Sequence, residues 1–356
     1  MLNNNSEYIK GRGAQGNINN RFNKLKYSLE HIEGLDESFL SENIKTEFIV
    51  EYPKTIISRN KSQDLSFGNS INPYLGCEHG CIYCYARNSH EYWGFDPALD
   101  FERKIIIKPK AAELLREEFN KKNYVPGPIL LSGNTDCYQP AERKFKITRS
   151  LLEVFLEFKH PVSIITKNSL ILRDIDLLSK LRKNNLVSVS ISITSLNESL
   201  RNLLEPRTVT AKGRLKIVKE LSDAGIPVNV MVAPIIPGLN SEEIPKIIEA
   251  AAINGAVNSY FTIVRLNGAI SDIFKDWLYK NFPDRAEKTI NRISACHNGK
   301  LNDSRWMHRL TGNGVEAEAI HQLFKISMKK SGLPKNRVSL DYTLFTNNHN
   351  KQLTLF

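Results

Sequence analysis

The 356-residue sequence has no stretch of about 18 uninterrupted apolar residues, which is the length that a membrane-spanning helix requires. Its first 22 residues also lack the apolar segment of a secretory signal peptide. It has no internal repeat, and its composition, 41% hydrophobic and 24% charged, excludes a disordered or fibrous chain. We therefore expect a globular cytoplasmic protein with no membrane partner.

Cysteine is scarce and unevenly placed. The chain has five cysteines, an odd number that argues against a disulfide framework. Three of them fall between residues 77 and 84, whereas Cys137 and Cys296 stand alone. A metal site in a reducing compartment explains this distribution better than disulfides do.

Acidic residues are outnumbered by basic ones. The formal net charge is 49 − 38 = +11, so the long-range field attracts polyanions, and nucleic acid is the obvious candidate partner. The excess is spread over the whole chain, however, and its many Lys and Asn residues also fit biased codon usage. Charge alone does not decide between these explanations.

The N-terminal segment shows little apolar periodicity. Residues 1–42 are rich in Asn and include Gly11, Gly13 and Gly16, a composition typical of a loose, mobile arm. The alternative is that backbone N–H groups and Arg12 cradle a phosphate. We expect the mobile arm, because no strand and helix flank the glycines.

Short apolar runs alternate with amphipathic stretches from residue 67 to residue 266. The runs are rich in Ile and Val, mostly without polar alternation, which predicts strands buried on both faces. Strands joined by helical crossovers predict a parallel sheet, curled into an open barrel or doubly wound. The predicted strands are Ser70–Tyr74, Ile129–Ser132, Val162–Thr166, Val187–Thr194, Val228–Ile235 and Ser259–Val264. The predicted helices are Ala111–Lys122, Thr148–Phe158, Asp174–Lys183, Lys212–Ala224 and Ser241–Asn254.

The strand signal ends after Leu266. Helical patterns follow at Ile270–Asn281, Asp284–His297 and Val315–Lys329. These patterns predict three parts: an N-terminal extension (1–66), a core barrel (67–266) and a C-terminal helical cap with a tail (267–356).

The three clustered cysteines lie in the segment NPYLGCEHGCIYCYAR, directly after the first predicted strand. Gly76 and Gly80 give this segment the freedom to wrap its thiolates around one centre. Soft sulfur ligands select zinc, Cu(I) or an iron–sulfur cluster. Zinc needs a fourth ligand from His79, Cys137 or Cys296, whereas three thiolates on a four-iron cube leave one iron open.

The CxxxCxxC spacing of Cys77, Cys81 and Cys84, with Tyr83 before the last cysteine, resembles the signature of the radical S-adenosylmethionine (SAM) superfamily. Longer strings resemble one bacterial family related to spore photolyase, over nearly the whole chain. These strings are SINPYLGCEHGCIYCYARNSHEYWGFDPALDFE, ITKNSLILRDIDLL, LEPR and VMVAPIIPGLN, together with the GRGA arm and the terminal QLTLF.

The resemblance implies an α/β fold, an open (β/α)6 partial TIM barrel with an N-terminal arm and a C-terminal helical cap. It implies a [4Fe–4S] cluster on the three cysteines and S-adenosylmethionine on the open iron. Reductive cleavage would give a 5′-deoxyadenosyl radical for C–H abstraction. The electron would come from a donor such as flavodoxin or ferredoxin.

The resemblance also implies cofactor-binding positions, each of which has ordinary packing or a backbone hydrogen bond as its alternative. The residues implied for the methionine amino group are Ser132, Gly133, Asn134 and Thr135. Lys167 is implied for the methionine carboxylate, Ser190 and Ser192 for the ribose, and Tyr83 and Pro234 for the adenine side.

Two isolated cysteines also need an interpretation. Spore photolyase uses a cysteine after its corresponding strand as a hydrogen-atom donor, but Cys137 does not match that offset, so we expect a solvent-facing free thiol there. Cys296 is expected to pack as a small hydrophobe.

Charged and imidazole side chains near the loop have two interpretations each. His79, His90 and Glu91 either tune the cluster through hydrogen bonds or hold the loop to the barrel. Arg207 and Arg265 either bind a substrate phosphate or carboxylate, or form salt bridges at the barrel rim.

Three functions follow from these features. The leading hypothesis is radical C–H abstraction on a nucleic-acid component, which the positive charge and the kinship with a DNA-repair lyase favour. The second is the same chemistry on a protein or metabolite. The third is a zinc-stabilised nucleic-acid-binding module without catalysis.

Overall fold

The structure is a computed structural model that describes residues 11–18, 20–22, 45–60, 62, 64, 67–335 and 339–349. Much of the N-terminal extension and the terminal QLTLF lie outside the described residues. None of the helices in the described ranges is long and apolar enough to cross a membrane.

The described residues hold ten strands and eleven α-helices. The strands are β1 (Glu47–Val50), β2 (Ile57–Arg59), β3 (Asn69–Ile71), β4 (Tyr74–Leu75), β5 (Lys104–Ile107), β6 (Ile129–Leu131), β7 (Val162–Thr166), β8 (Val187–Ser192), β9 (Val228–Ile235) and β10 (Asn258–Ile263). The helices are α1 (Leu99–Arg103), α2 (Ala111–Phe119), α3 (Glu142–Phe145), α4 (Ile147–Glu157), α5 (Ile175–Lys183), α6 (Glu198–Leu204), α7 (Ala211–Asp223), α8 (Ile244–Ile253), α9 (Ile270–Asn281), α10 (Pro283–Ala295) and α11 (Val315–Lys330). Segments of 3-10 helix span Tyr85–Trp93, Ser169–Asp174 and Ser241–Glu243.

The main sheet has seven strands in the order β10-β9-β8-β7-β6-β3-β2. The six strands from β3 to β10 are parallel and lie in chain order, while β2 pairs antiparallel with β3 at one edge. A doubly wound sheet would reverse its strand order at a switch point. The uninterrupted strand order therefore excludes the doubly wound sheet, which the sequence pattern had left open. The fold is an open (β/α)6 partial barrel.

The parallel strands alternate in burial, against our prediction that most are buried on both faces. In β8, Val187, Val189 and Ile191 are buried against the helices, while Ser188 and Ser190 are half-buried on the other face. The same alternation holds in β7 and most of β9. One face of the sheet is thus a dry core and the other is a half-buried lumen that is polar along β8.

The first predicted strand, Ser70–Tyr74, is wrong as a single element. It divides at Asn72 and Pro73 into β3 of the barrel and β4 of a second, three-stranded sheet with the order β1-β5-β4. Pro73 has no N–H to donate and instead accepts a hydrogen bond from the Lys108 N–H through its carbonyl (3.1 Å). The cysteine loop therefore begins on the small sheet.

The C-terminal tail crosses the end of the barrel at which the strands begin. Backbone N–H groups of Lys335, Asp341 and Thr346 donate to carbonyls just before β10, β8 and β7 respectively. Phe345 is buried in an aromatic cluster with Phe119, Tyr124, Phe158 and His160. The tail thus holds three barrel strands and α2 together.

Candidate metal centre and cofactor site

The cysteine loop leaves β4 through Gly76, which has a positive φ of 77°. A Cβ at this position would lie 2.9 Å from both the His90 ring and the Lys104 carbonyl, so only glycine fits. The Cys77 N–H donates to the Phe101 carbonyl (2.8 Å), and the Ile82 N–H donates to the Leu204 carbonyl (3.0 Å). These bonds fix the loop to α1 on one side and to α6 on the other.

The three thiols of the loop converge. Cys77 and Cys81 are buried, and the half-buried Cys84 packs against the apolar clusters of both. Burial raises the pKa of Cys77 well above its usual range, and Asp136, Cys81 and Cys84 raise it further. Burial and the nearby Glu205 raise the pKa of Cys81 to about 12. Each sulfur therefore lies within electrostatic reach of another, where a bound cation would favour the thiolates.

The donor set fits an iron–sulfur cluster. Among the residues that the structure describes, no three His, Cys, Asp or Glu side chains are grouped as ligands of a single metal ion. A four-iron cluster does not need its three cysteines to meet at one ion, because each thiolate binds a different iron. Cys77, Cys81 and Cys84 supply three soft ligands of the type that such a cluster uses.

His79 holds the loop to the barrel. Its Nε2 lies 3.1 Å from the Asn168 amide nitrogen and its Nδ1 lies 3.5 Å from the Asp136 carboxylate. Burial lowers the pKa of His79 to about 4, so the ring is neutral at pH 7. Both ring nitrogens contact barrel residues, as the role of holding the loop to the barrel requires. A histidine that binds zinc would instead keep one ring nitrogen for the metal.

His90 and Glu91 hold the opposite side of the loop. The His90 Nε2 lies 2.9 Å from the Lys104 carbonyl, which ties the 3-10 helix Tyr85–Trp93 to β5. The Glu91 carboxylate accepts the backbone N–H of Arg21 (3.1 Å) and pairs with the Arg21 guanidinium. Both contacts are structural ones.

Tyr83 belongs to a buried network that the sequence did not reveal. Its hydroxyl donates to the Glu205 carboxylate, which also accepts hydrogen bonds from the Thr194 hydroxyl (2.6 Å) and from Arg214. Burial alone would raise the pKa of Glu205, but Arg214 and Lys167 outweigh it and lower that pKa to about 2. The string LEPR, residues 204–207, was the sequence signal for this network. From the sequence we inferred a role for Arg207 in that string and none for Glu205.

The turn after β6 uses its own side chains to hold its shape. Ser132 has a positive φ of 80°, and its hydroxyl donates to the Thr135 carbonyl (2.6 Å). The Thr135 hydroxyl donates to the Tyr74 carbonyl, and the Asn134 N–H donates to Asn72 (2.8 Å). A Cβ on Gly133 would lie 2.9 Å from the Ser70 Cβ, so close packing on β3 requires this glycine.

Lys167 directly follows β7 and lies close to Cys81, Glu205 and Asp136. Burial by itself would lower the pKa of Lys167, but Cys81 and Glu205 outweigh that effect and raise it. Its ammonium forms no hydrogen bond or ion pair within the described part of the chain. It is thus a charged donor directed at the region of the cysteine loop.

Ser190, Ser192 and Pro234 lie on the strands farther from the loop. Ser190 is half-buried on the lumen face of β8, whereas Ser192 on the same face is buried at the strand end. Pro234 is half-buried near the end of β9, and its carbonyl accepts a hydrogen bond from Asn240 (3.0 Å). Ser190 and Pro234 lie on the adjacent strands β8 and β9, and Lys167 directly follows the neighbouring strand β7.

Cys137 is fully buried in the main apolar core, so the expectation of a solvent-facing thiol is wrong. Burial raises its pKa well above the usual range. Its backbone N–H donates to the Ser132 hydroxyl (3.0 Å), which places it under the turn rather than in the lumen. Cys296 is also fully buried in the apolar core, as expected.

The two arginines at the barrel mouth differ. The Arg207 guanidinium lies 3.8 Å from the Glu78 carboxylate, and the Arg207 backbone N–H donates to the His79 carbonyl. These contacts agree with the interpretation of Arg207 as a salt-bridge residue at the barrel rim. Arg265 is half-buried with its guanidinium 5.7 Å from the centre of the Tyr85 ring, and it forms no hydrogen bond or ion pair within the described residues. The Tyr85 hydroxyl in turn donates to the Gly133 carbonyl (2.5 Å).

Comparison with known proteins identifies the family. A family model described as the Radical SAM superfamily matches residues 71–251, more than half of the chain. The chain belongs to the radical SAM superfamily. The superfamily implies a [4Fe–4S] cluster and S-adenosylmethionine, and the matched region contains Cys77, Cys81 and Cys84.

Curated relatives extend the comparison. An uncharacterised protein of Mycobacterium tuberculosis is 32% identical over 222 residues, which are 62% of this chain and 65% of the relative. An uncharacterised protein of Methanocaldococcus jannaschii is 29% identical over 63% of this chain and 80% of its own length. The chain thus spans less than two thirds of the mycobacterial relative. A protein of Pseudomonas phage M6 named radical SAM Nalpha-GlyT isomerase is 24% identical over 60% of this chain and 43% of its own length.

Solved structures support the fold. Spore photoproduct lyase complexed with dinucleoside spore photoproduct superimposes with a TM-score of 0.60 at 16% identity, covering 82% of both chains. A mutant of that lyase with bound S-adenosylmethionine gives the same score at 15% identity and 88% coverage of both chains. At this identity the likeness shows a shared fold, and it confirms the predicted structural resemblance to spore photolyase.

Proposed function

We propose that the chain is a radical SAM enzyme that holds a [4Fe–4S] cluster on Cys77, Cys81 and Cys84. The proposal rests on the convergence of these three thiols beside the Lys167 ammonium, which has no hydrogen-bond or ion-pair partner among the described residues. When bound, the cluster and S-adenosylmethionine supply reductive cleavage to a 5′-deoxyadenosyl radical, which abstracts hydrogen from a C–H bond. A cytoplasmic location and an electron donor such as flavodoxin or ferredoxin belong to the same proposal.

Residues of the chain position the cofactor in this proposal. Lys167 holds the methionine carboxylate as a charged donor, while the backbone of residues 132–135 meets the amino group. Ser190 and Ser192 serve the ribose from the lumen face of β8. Pro234 contributes on the adenine side, and Tyr83, fixed by Glu205, offers the face of its ring rather than its hydroxyl.

Cofactor cleavage is tested first. The protein is reconstituted with iron and sulfide under anaerobic conditions, then treated with dithionite and S-adenosylmethionine, and 5′-deoxyadenosine is quantified. We expect 5′-deoxyadenosine from wild type and none from Cys81→Ala. If wild type and Cys81→Ala both fail to cleave the cofactor, the proposed function is wrong.

For the substrate, we propose a nucleic-acid component. Arg265 at the mouth of the barrel is a cation without an acceptor in the described residues, and the Tyr85 ring beside it is a stacking surface. Arg309 also lies near Arg265, but its guanidinium is paired with the Asp64 carboxylate, so Arg265 is the one of these two cations that can meet a phosphate. The net charge of +11 adds long-range attraction for a phosphodiester.

Salt dependence separates this substrate from a protein or an uncharged metabolite. Binding of a fluorescent single-stranded oligonucleotide is measured from 50 to 300 mM salt, where each phosphate contact contributes a log–log slope of about −0.7. Arg265→Gln is expected to make the slope shallower by about that amount. Lys216→Gln on the outer surface of α7 is the matched control and should leave the slope unchanged. Flat salt dependence in wild type contradicts the nucleic-acid substrate.

The division into an extension (1–66), a core (67–266) and a cap with a tail (267–356) stays a prediction.

The alternative of a zinc-stabilised binding module is disfavoured, because it needs a fourth ligand. His79 is engaged by barrel residues, and Cys137 and Cys296 are buried in the apolar core. Metal analysis after anaerobic purification distinguishes the two, because the proposal requires iron with acid-labile sulfide and the alternative requires stoichiometric zinc.

A further inference from the structure

The GRGA arm lies buried against the cysteine loop, contrary to the expectation of a mobile arm. Arg12 and Ala14 are 7% and 2% exposed. The backbone N–H groups of Gly13 and Ala14 donate to the two carboxylate oxygens of Glu102 at 3.1 and 2.8 Å, and Arg12 donates to the Glu102 carbonyl (2.7 Å). The arm is therefore fixed to α1.

Glu102 connects the arm to a cluster cysteine. Its carboxylate also accepts a hydrogen bond from Arg87 (2.6 Å), and both side chains are fully buried. Arg87 donates in turn to the Cys81 carbonyl from Nε (3.1 Å) and Nη2 (2.9 Å). A continuous chain of charge-assisted hydrogen bonds thus runs from Gly13 through Glu102 and Arg87 to Cys81.

Gly13 also touches the loop directly. A Cβ on Gly13 would lie 1.8 Å from the Gly80 carbonyl oxygen, which is a backbone atom that cannot swing aside. A Cβ on Gly80 would lie 3.2 Å from the Gly13 nitrogen. The two glycines allow the arm and the loop to pack backbone against backbone between Cys77 and Cys81.

The next residues of the arm cover the helical segment after Cys84. The Ile18 N–H donates to Asp96, and the Asn20 amide donates to the Glu91 and Phe95 carbonyls at 2.9 and 3.0 Å. The same short segment therefore contacts the cysteine motif at Gly80 and the stretch that follows the motif, at Glu91, Phe95 and Asp96.

We propose that Arg12, Gly13 and Ala14 are positioning residues for the iron–sulfur cluster, which seal the loop from solvent and fix the backbone of Cys81. The alternative of a phosphate cradle is disfavoured, because the N–H groups that would bind a phosphate are occupied by the Glu102 carboxylate. That negative charge would also repel an anion. The inference rests on the proposed cluster and adds the element that retains it.

The test compares Gly13→Ala with Asn17→Ala. Asn17 is in the same arm and is exposed, so Asn17→Ala truncates an arm side chain that is not packed against the loop and is the matched control. After anaerobic reconstitution, iron and sulfide content, the midpoint potential and the half-life of cluster absorbance in air are measured. Because overpacking loosens the contact locally, we expect Gly13→Ala to lose its cluster about tenfold faster in air, with a shifted potential.

The thermal midpoint of each protein without iron shows whether a variant is folded. Arg12→Gln removes an arm contact without a clash, and it decides the matter if Gly13→Ala does not fold. Equal half-lives and equal potentials for wild type, Gly13→Ala and Arg12→Gln would overturn this inference and leave the proposed function unaffected. Failure of wild type to hold any cluster would overturn the proposed function and this inference with it.

Discussion

The Tyr83 hydroxyl donates a hydrogen bond to the buried Glu205 carboxylate, which ties the cysteine loop to the residue just after α6. The Glu205 carboxylate is in turn paired with the Arg214 guanidinium, so three buried polar groups satisfy one another. The aromatic residue before the last cysteine is therefore an anchor of the loop. Its position could be predicted from the motif, but its partner could not.

Tyr83→Phe is expected to lower the free energy of unfolding by about 1–2 kcal/mol, because Glu205 loses one of its donors but keeps Thr194 and Arg214. Urea denaturation of the protein without iron measures this change. Tyr279 forms the same type of bond to Glu287 on the surface, and Tyr279→Phe should leave the midpoint unchanged. Equal effects of the two substitutions would contradict the anchoring role.

Cys81→Ala should reduce the iron bound after reconstitution from about four atoms per chain to a small residue, since two thiolates do not retain the cluster. Iron and sulfide assays and the visible absorbance report the loss. Cys137→Ala is the control, because that thiol is fully buried in the apolar core. We expect its iron content to match wild type, and loss of iron in both variants would argue against a site restricted to the loop.

Lys167→Met should weaken S-adenosylmethionine binding to the reconstituted protein about 10- to 100-fold, which is the range for a lost hydrogen bond between charged groups. The substitution keeps the apolar stem and removes only the ammonium. Equilibrium binding under anaerobic conditions gives the dissociation constant. Lys216→Met on α7 changes an exposed ammonium and should bind as wild type does, and unchanged binding by Lys167→Met would remove this residue from the site.

His160 makes stability depend on pH. Burial lowers its pKa to about 4, below the usual 6.5, so the unfolded chain takes up a proton more readily than the folded one. The contribution of the neutral His160 ring to the free energy of unfolding is therefore complete above pH 6.5 and is lost as the pH falls towards 4. Between pH 7 and pH 5 this loss amounts to about 2 kcal/mol.

The measurement is the free energy of unfolding at pH 7 and pH 5 for wild type and His160→Phe. Phenylalanine keeps the stacking on Phe119, whose ring centre lies 4.5 Å away, but cannot be protonated. The variant is expected to lose about 2 kcal/mol less than wild type over this interval. Identical pH dependence in the two proteins would show that the buried ring does not titrate in this way.

Phe345→Ala should lower the free energy of unfolding by about 3 kcal/mol, because a buried phenylalanine leaves a cavity among Phe119, Tyr124 and Phe158. Chemical denaturation checks this value. Asn348→Ala in the same tail is the control, since Asn348 is exposed and its bond to Asn120 uses the backbone N–H. A change below the error of the method for Phe345→Ala would mean that the tail contributes little.

The barrel could be predicted from the sequence because its central elements follow simple patterns. Val162–Thr166, Val228–Ile235 and Ile270–Asn281 have the predicted bounds, each bordered by a residue that ends the element. The small sheet was missed. Its strand β5 is four residues long between charged neighbours, and its other strands are pairs or short runs that gain stability only from long-range pairing.

The candidate site was predictable in its ligands and less so in its surroundings. The thiol spacing is local, so the sequence displays it. Glu102 and Glu205 meet their partners across the fold, and a carboxylate in a helix or directly after one gives no sign in the sequence that it is fully buried. The arm was misjudged for the same reason, because its glycines serve close contact with Gly80 rather than mobility.

The order of the barrel strands bears on how the chain is made. Each parallel strand from β3 to β10 pairs with the strand preceding it in the barrel, so pairing can proceed as residues leave the ribosome. The tail reverses this progression, since Asn347 bonds to the carbonyl of Phe119, 228 residues earlier. Synthesis of residues 339–349 thus completes the base of the barrel, and a nascent chain stalled before residue 339 lacks the bonds that Asp341, Thr346 and Asn347 make there.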